Sequence, residues 1–226
     1  MKIIQPSFKL RFPTKKETIK EMLMLVEEAA RLCYQSEGLQ EEEFNAAYIR
    51  SKIDVGHESV IEHSMITLRV VCDRGITHEI VRHRLASYSQ ESTRFCNYSK
   101  GKFGSEITVI DLRKGIELDV KMRDVPPENV ELIMLEWLDA NSDAERHYMR
   151  MTELGASPQI ARSVLNNSTK TEIIMTMNFR EWRHFFKMRW PIAAHPQMRE
   201  LTRPMLKEFK RVFPVIFDDL HVQEDA

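Results

Sequence analysis

Apolar residues recur along this chain with two different periods. Between about residues 14 and 34 they return every three or four positions, which predicts an amphipathic helix with a buried stripe of Ile19, Met22, Leu23, Val26, Ala29 and Ala30. Residues 63–72 alternate between apolar and polar instead, and so do residues 170–178. Alternation predicts two half-buried strands, whose inner faces carry Ile66, Leu68, Val70 and Cys72 in the first and Ile173, Met175 and Met177 in the second.

Capping and turn residues predict where the N-terminal helices begin and end. Thr14 and Glu17 form a capping box at the start of the first helix. A second helix is expected over about Glu41–Val55, closed by Gly56. Gly75 opens a short helix through ITHEIVRHRLA, and the polar run SYSQESTRF that follows is expected to be a loop or an irregular strand.

The C-terminal half is predicted to be mainly helical. Residues 128–154 form one long helix with an apolar stripe of Val130, Ile133, Met134, Trp137, Leu138 and Ala144. Ser157 as the cap and Pro158 at the first helical position start another helix. Two more helices are expected at about 180–190 and 197–213.

Together these elements predict one α+β domain over residues 1–226, with a small central antiparallel sheet surrounded by helices. Composition agrees, because 42% of the residues are hydrophobic and 30% are charged, while 7 Gly and 9 Pro exclude collagen-like, mucin-like and disordered chains. No apolar run approaches the ~20 residues that span a bilayer, and the first residues contain no apolar signal core. We therefore expect a cytoplasmic protein that does not enter a membrane.

The three cysteines are Cys33, Cys72 and Cys96. They are widely spaced and form no C-x-x-C pair, which indicates neither a disulfide framework nor a zinc knuckle. Each is expected to be a small buried hydrophobic residue rather than a nucleophile.

Charge is segregated along the chain, although the formal net charge is only −1. Residues 111–149 hold 5 basic and 10 acidic residues, whereas residues 150–211 hold 12 and 5. The tail, residues 212–226, holds 4 acidic residues and no basic one. The cations are therefore concentrated where candidate binding residues occur, as expected for a protein that attracts anionic ligands.

The densest group of such residues is Arg82, His83, Arg84, Ser87, Ser89, Gln90, Ser92 and Arg94. Guanidinium groups match phosphate oxygens bidentately, and hydroxyls complete a shell around an anion, so the group predicts an anion site. The alternative is a helix C-terminus whose cations favour the helix dipole.

A second group precedes the first predicted strand and contains His57, Glu58, Ser59, Glu62 and His63. No H-E-x-x-H motif occurs in the chain, and His57 and His63 are six residues apart, so no metal site is predicted. Ser59 and Glu62 have the spacing of a capping box, and the sequence leaves capping and ligand contact as alternatives.

A third group lies in the basic segment: Arg162, Asn178, Arg180, His184 and Arg189. Arg180 and His184 are four apart on a predicted helix and share a face. The alternative is a solvated cationic helix, which is expected for residues 197–213 with Arg199, Arg203, Lys207 and Lys210. The aromatic residues Trp182, Phe185 and Phe186 are expected in the core rather than stacked on a nucleotide.

Glycine-rich phosphate-binding motifs are missing. The 7 glycines are scattered, and neither G-x-G-x-x-G nor G-x-x-x-x-G-K-[ST] occurs. Any bound nucleotide must therefore be held by side chains and helix ends.

These groups resemble the motifs of flavin-dependent thymidylate synthases. Arg82-His83-Arg84, seven residues, then Ser92 and Arg94 is similar to the signature R-H-R-x7-S followed by a basic residue. His57 to His63 resembles the family's H-x-[ST]-x-x-E-H segment. Asn178-Phe179-Arg180 with Arg189 resembles its N-x-R … L-R segment, and Ala194 to Gln197 the stretch after it. The resemblance covers about residues 29–213.

The resemblance implies a homotetramer with active sites at subunit interfaces and a reductive methylation of dUMP to dTMP. Methylenetetrahydrofolate would supply the carbon, FAD would relay reducing equivalents, and NADPH would provide the hydride. The implied FAD contacts are Ser59, Arg82, His83, Arg84, Gln90, Asn178, Phe179, Arg180 and His184. The implied dUMP contacts are Glu79, Ile80, Val81, Arg82, Gln90, Glu91, Ser92, Thr93, Arg94, Arg162 and Arg189.

Within this set Arg189 matches the catalytic arginine that favours the ionised uracil ring. Ser92 is interpreted as a hydroxyl that positions the substrate rather than as a nucleophile. The chain departs from the family pattern at three places: Glu79 stands where many relatives carry Gln, Ser89-Gln90 replaces an Asn-Glu pair of some members, and Cys33 occupies a position that resembles a Ser position in others. Two other hypotheses are a catalytically silent nucleotide-binding protein and a nucleic-acid-binding module that uses residues 150–211. We favour the enzyme, without a nucleic-acid partner, because the FAD set and Arg189 are intact.

Overall fold

The computed structural model describes residues 1–101 and 104–221. Its elements in chain order are β1 (Lys2–Ile4), β2 (Ser7–Phe12), α1 (Lys16–Leu32), α2 (Ala46–Asp54), β3 (Met65–Asp73), α3 (Arg74–Ile80), β4 (Ala86–Gln90), β5 (Thr108–Ile110), α4 (Arg113–Leu118), α5 (Pro127–Glu153), α6 (Pro158–Ala161), β6 (Lys170–Asn178), α7 (Phe179–Arg189), α8 (Pro196–Val212) and α9 (Pro214–Phe217). Of the acidic tail, Glu224 and Asp225 lie outside the described residues.

The central sheet has four strands in the order β2-β3-β6-β4, and each neighbouring pair is antiparallel. Its two longest strands are the two that alternation predicts, and they pair along their whole length, from Met65 opposite Asn178 to Asp73 opposite Lys170. All seven side chains predicted for their inner faces are buried. The predicted mixed α+β architecture with a small antiparallel sheet is confirmed. A separate parallel pair, β1 with β5, was not predicted.

Two predicted helix starts are wrong. The residue that precedes α1 is Lys15, not Thr14, and it makes no side-chain capping bond, so the predicted capping box does not form. The second helix begins at Ala46 instead of Glu41, because Asn45 caps it by accepting a hydrogen bond from the backbone N–H of Tyr48 at 2.9 Å. An Asn side chain in that position satisfies one of the unpaired N–H groups of the first turn.

The segment after Gly75 also differs from its prediction. The helix α3 ends at Ile80, and the polar run predicted as a loop or an irregular strand contains a regular strand, β4. Tertiary pairing decides this segment, because β4 hydrogen-bonds along β6 from Ala86 opposite Met177 to Gln90 opposite Ile173.

The long predicted helix is confirmed as α5, but none of the residues of its predicted apolar stripe is fully buried in the chain. Only Asn141 and Tyr148 are buried along it, whereas Ile133 is exposed and the other stripe residues are partly buried. The helix predicted at Ser157 spans four residues, and Ser157 provides no side-chain cap.

The main core lies between the inner face of the sheet and the helices α1, α7 and α8. As predicted, Trp182, Phe185 and Phe186 are buried there, and the indole N–H of Trp182 donates to the carbonyl of Ile66 at 3.0 Å. The prediction of a solvated cationic α8 is wrong for Arg199, which is buried and donates to the carbonyl of Leu118 at 2.5 Å.

The three cysteines, all of which lie in the described part of the chain, form no disulfide. Cys72 is buried as predicted, whereas Cys96 is partly buried and Cys33 is exposed at the end of α1. Among residues 1–101 and 104–221, no helix is long and apolar enough to cross a membrane.

Candidate active site

The segment Arg82–Arg84 leaves the end of α3 in a turn that β4 holds in place. The helix itself starts on Asp73, whose Oδ1 accepts from the backbone N–H of Ile76 at 2.7 Å. At its other end, the hydroxyl of Tyr88 lies 2.9 Å from the carbonyl of Ile80 and 2.8 Å from that of His83. Burial raises the pKa of Tyr88 to about 12, so this hydroxyl remains a donor at neutral pH.

His83 points into the protein from this turn, whereas Arg82 and Arg84 are exposed. Its Nδ1 lies 3.1 Å from Oε1 of Glu181, and its Nε2 accepts a hydrogen bond from Nε of Arg189 at 3.1 Å. Because the arginine nitrogen can only donate, the proton of the neutral imidazole is on Nδ1. Burial, aided by the charge of Arg189, lowers the pKa of His83 below 6.5, although the bond to Glu181 opposes this shift.

Arg189, at the last turn of α7, connects this helix with the segment that contains Glu79 and His83. Its Nη1 donates to the carboxylate of Glu79 at 2.9 Å, and its Nη2 donates to the backbone carbonyl of Glu79 at 3.0 Å. The hydroxyl of Thr202 on α8 donates to the carbonyl of Arg189 at 3.0 Å and anchors this end of the helix. Within the described part of the chain, these bonds leave one N–H on each terminal nitrogen of the guanidinium for a ligand.

A cavity of about 580 Å³ lies beside this cluster. It is lined by Glu58, Glu62, Leu85, Asn178, Arg180, Glu181, His184 and Lys187. The second and third sequence groups therefore meet in space. Arg180 donates to Glu62 at 2.6 Å, and both side chains are well exposed, so the pair contributes about 1 kcal/mol or less and is exchangeable for another anion.

Glu58 is held from the other side by a buried arginine. Arg183 donates through Nε to Glu58 at 3.1 Å and through its two terminal nitrogens to the carboxylate of Asp219 at 2.7 and 2.6 Å. Although burial alone would raise the pKa of Asp219, hydrogen bonds from Arg183 and Arg50 hold that pKa well below its ordinary value.

The predicted contacts from Gln90 to Arg94, together with Arg162, lie at the opposite end of β4. The Nη1 of Arg162 donates to the hydroxyl of Thr93 at 3.2 Å, which brings these two predicted dUMP contacts together. The next residue along from β4, Glu91, hydrogen-bonds to Glu172 of β6, six residues from Asn178. Asn178 lines the cavity, and Glu172 lies beside the predicted contacts that follow β4. At about 3.3 Å per residue of β6, the cavity and these contacts are therefore about 20 Å apart along the sheet in one chain.

Comparisons with known proteins identify the family of this chain. The family model described as thymidylate synthase complementing protein, Thy1, matches residues 17–215. The chain belongs to this family. The resemblance found in the sequence is confirmed, and it covers nearly all of the described chain.

Two similar members of the thymidylate synthase complementing protein family are named flavin-dependent thymidylate synthase. One, from Mycobacterium tuberculosis, is 35% identical over 208 residues, which cover 88% of this chain and 79% of that protein. The other, from Corynebacterium aurimucosum, is 34% identical over 213 residues, which cover 91% and 83%.

A solved structure shares the fold. It is the crystal structure of a UMP/dUMP methylase, PolB, from Streptomyces cacaoi bound with 5-Br dUMP. The TM-score is 0.77, 96% of each chain is covered, and 21% of the residues are identical. The architecture of this family member is therefore one that also occurs in a nucleotide methylase.

Several predicted contacts in this Thy1 family member are restricted by burial. The side chains of Ile80 and Phe179 are fully buried, so any contact that they make with a ligand must come from the backbone. Gln90 donates its amide to Thr77 at 3.0 Å and to Thr171 at 3.2 Å. The predicted substrate contact Glu91 accepts from Lys170 at 2.8 Å and from Tyr98 at 2.9 Å.

Others of the predicted contacts remain accessible to a ligand. The side chains of Ser59, Val81 and Arg94 are exposed, and that of Ser92 is partly buried. They stay predictions, together with the rest of the implied contact set.

Sequence reasoning missed Glu181 and Arg183, both in α7 of this Thy1 family member. Helical spacing gave a signal for Glu181, because it immediately follows Arg180 and lies on the turn that carries His184. In the described part of the chain, His83, Glu181 and His184 are the only group whose potential ligand atoms lie within 4.8 Å of one another. Both ring nitrogens of His83 are already hydrogen-bonded and Arg189 is adjacent, so this geometry favours a hydrogen-bond network over a metal centre.

Proposed function

We propose that this chain is a flavin-dependent thymidylate synthase, which methylates dUMP to dTMP. The carbon would come from methylenetetrahydrofolate, and NADPH would supply the reducing equivalents through FAD. One observation carries the proposal: Glu79 and His83, from the segment predicted to bind dUMP and FAD, both hydrogen-bond Arg189, the residue predicted to act on the uracil ring. The similar proteins named flavin-dependent thymidylate synthase support the same activity.

The cavity lined by Glu181 and His184 suits FAD. It presents an amide from Asn178, a guanidinium from Arg180, an imidazole from His184 and an ammonium from Lys187. Groups of these kinds donate hydrogen bonds to phosphates and to ring carbonyls. When bound, FAD supplies the hydride transfer that the reductive methylation requires. We assign the cofactor to these residues together with Ser59, Arg82, His83, Arg84, Gln90 and the backbone of Phe179.

Activation of the substrate is assigned to Arg189. Methylation at C5 of uracil requires electron density at that carbon, and a cysteine that adds to C6 is one way to obtain it. Burial raises the pKa of Cys72 far above its ordinary value, so this thiol is a poor nucleophile. Arg189 retains N–H groups for a ligand, and a guanidinium there would stabilise negative charge on the uracil ring.

We assign the phosphate of dUMP to the residues that meet beyond Gln90, at the C-terminal end of β4. Arg94 and Arg162 supply guanidinium groups, which bind phosphate oxygens bidentately, and Ser92 supplies a hydroxyl. Glu79, Val81, Thr93 and the backbone of Ile80 complete the proposed dUMP contacts.

We propose that the active sites are shared between subunits of a homotetramer. In one chain the residues proposed for the dUMP phosphate and the cavity proposed for FAD are about 20 Å apart along the sheet. Large exposed apolar side chains support association between subunits. Phe95, beside Arg94, is 82% exposed, and Leu85, which lines the cavity, is 75% exposed. The lack of a disulfide among the three cysteines, all of them in the described residues, suits a reducing compartment, and we place the enzyme in the cytoplasm.

Anaerobic mixing tests the proposed activity. Reduced, FAD-loaded protein is mixed with dUMP and methylenetetrahydrofolate, and the flavin absorbance and dTMP are followed. We expect flavin reoxidation together with dTMP formation. A protein that cannot be loaded with FAD, or one whose flavin stays reduced while no dTMP forms, would refute the proposal.

Mixing two inactive variants tests the shared sites. We expect Arg94→Ala and Arg189→Ala each to be inactive alone. If the two arginines of one site come from different subunits, dissociation and random reassembly of an equal mixture restores about a quarter of the sites. No recovery in mixed oligomers, verified with distinct affinity tags, would place both arginines of a site in one subunit.

A further inference from the structure

Glu181 occupies a position in the hydrogen-bond network that none of the predicted ligand contacts explains. Its carboxylate is buried beside His83, and its backbone N–H donates to the Oδ1 of Asn178 at 2.8 Å. The backbone of Glu181 is therefore fixed at the start of α7, and its carboxylate lies on the side of the imidazole opposite Arg189.

We propose that Glu181 is a positioning residue, which fixes the tautomer of His83 and through it the orientation of the Arg189 guanidinium. The catalytic consequence rests on the proposed function, whereas the tautomer is a property of the protein alone. The three residues form a chain of hydrogen bonds from the carboxylate of Glu181, through the imidazole, to the guanidinium.

The direction of these hydrogen bonds is determined by their end groups. Nε of Arg189 can only donate, and an ionised Glu181 can only accept. A neutral imidazole satisfies both when its proton is on Nδ1 and its lone pair is on Nε2. The opposite tautomer would place an Nε2–H against the N–H of Arg189 and a lone pair against the carboxylate. Glu181 therefore favours the one tautomer that holds Arg189.

The surroundings restrict the imidazole to this role. The ring of Phe185 lies 4.9 Å from the ring of His83, and that of His184 lies 5.4 Å away, both in edge contact. The hydroxyl of Tyr88 fixes the backbone carbonyl of His83. Because the ring is held on these sides, a change of tautomer alters its bond to Arg189 rather than its position.

The consequence for Arg189 is orientation of its terminal nitrogens. With Nε bound by His83 and one N–H of each terminal nitrogen bound by Glu79, the plane of the guanidinium is defined at three points. Loss of the His83 bond releases one of these points and lets the guanidinium rotate about the contacts with Glu79. Precise placement of such a group is what makes it effective in stabilising developing charge.

Two variants separate the role of the acceptor from that of the charge. Glu181→Ala removes the acceptor, whereas Glu181→Gln keeps a side-chain oxygen that can accept from Nδ1. Glu208→Ala is the matched control, because it removes a carboxylate from α8 whose partner is the exposed Arg211. Each full-length, FAD-loaded protein is labelled with ¹⁵N at histidine, and His83→Asn assigns the signals of His83.

In the unmodified protein we expect Nδ1 of His83 to give the protonated nitrogen signal and Nε2 the unprotonated one. Glu181→Ala should populate the other tautomer, while Glu181→Gln and Glu208→Ala keep the original one. Loss of hydrogen-bond partners of metal-bound histidines typically lowers activity ~10–100-fold, and we expect a fall in kcat in that range for Glu181→Ala, with most of the activity retained in Glu181→Gln.

An unchanged tautomer and an unchanged kcat in a folded Glu181→Ala protein would overturn the inference. So would equal losses in Glu181→Ala and Glu181→Gln, since these would assign the effect to charge. If the unmodified protein shows the Glu181-dependent tautomer but forms no dTMP, the proposed function fails and the positioning of Arg189 stands.

Discussion

The carboxylate of Glu79 lies 2.9 Å from Nη1 of Arg189, although the two residues are 110 positions apart in the chain. The same arginine donates a second hydrogen bond to the backbone carbonyl of Glu79. A carboxylate is thus the counter-ion of the group that is proposed to stabilise negative charge on the substrate. The pair reduces the net positive charge that an anionic ligand meets at this place.

Replacement of Glu79 by Gln should therefore strengthen dUMP binding. The amide keeps a hydrogen-bond acceptor for Arg189 and removes a negative charge, so we expect the Kd for dUMP to fall by up to about fivefold, which corresponds to about 1 kcal/mol. Titration calorimetry on FAD-loaded protein measures it, with Glu208→Gln as the control for a carboxylate far from the site. Weaker binding in Glu79→Gln would indicate that the contact proposed between Glu79 and dUMP needs the charged carboxylate, and it would contradict the prediction.

Arg189→Ala should abolish dTMP formation while FAD stays bound. Loss of one group that stabilises charge in a transition state commonly costs about 10²–10³ in kcat, and we expect at least that loss. Arg189→Lys should rescue little, because an ammonium cannot make the three separated bonds that the guanidinium makes with His83 and Glu79. The assay compares dTMP formation with flavin absorbance after gel filtration. Full activity of Arg189→Ala would remove this residue from the mechanism.

Arg183→Met should destabilise the fold. The variant removes the buried cation that Glu58 and Asp219 share. Because Arg50 still pairs with Asp219, we expect a loss below the ~3–5 kcal/mol that breaking a fully buried ion pair costs. Urea unfolding measures the loss. The matched control is Arg211→Met, whose exposed pair with Glu208 should leave the free energy of unfolding nearly unchanged. Similar losses in both variants would show that burial of Arg183 has no special effect.

Because of Glu200, we expect the free energy of unfolding to fall as pH rises. Burial raises the pKa of this carboxyl to about 7, with nearby Asp111 adding to the effect, and its Oε2 has no hydrogen-bond partner among the described residues. The folded state thus retains a proton that the unfolded state loses near pH 4.3, so the free energy of unfolding decreases from there up to about pH 7.

We expect Glu200→Gln to be more stable than the unmodified protein at pH 8.5, by on the order of 1–3 kcal/mol, and to differ little at pH 4.5. Urea unfolding at both pH values measures this difference. Glu208→Gln is the control, because its pKa is lowered by the hydrogen bond from Arg211 rather than raised. A Glu200→Gln protein with the same gain at both pH values would contradict the titration of Glu200.

The elements that could be predicted are those whose periodicity reflects one buried face. β3 and β6 are of this kind, and all seven residues predicted for their inner faces are buried. β4 could not be predicted with the same clarity, because its polar sequence becomes a strand only through pairing with β6. Arg199 was misplaced for a related reason: its sequence neighbours look like a solvated helix, but its guanidinium binds backbone carbonyls inside the protein.

By itself, the sequence determined the class of fold, the strands that form the centre of the sheet and the family to which the chain belongs. Periodicity and motif spacing carry that information because they depend on residues close together in the chain. Only the tertiary structure decided that Glu181 meets His83 across 98 residues and that Glu79 neutralises Arg189. Such partners depend on where α3 and α7 end in space, and the direction of a hydrogen bond follows only when both of its ends are known.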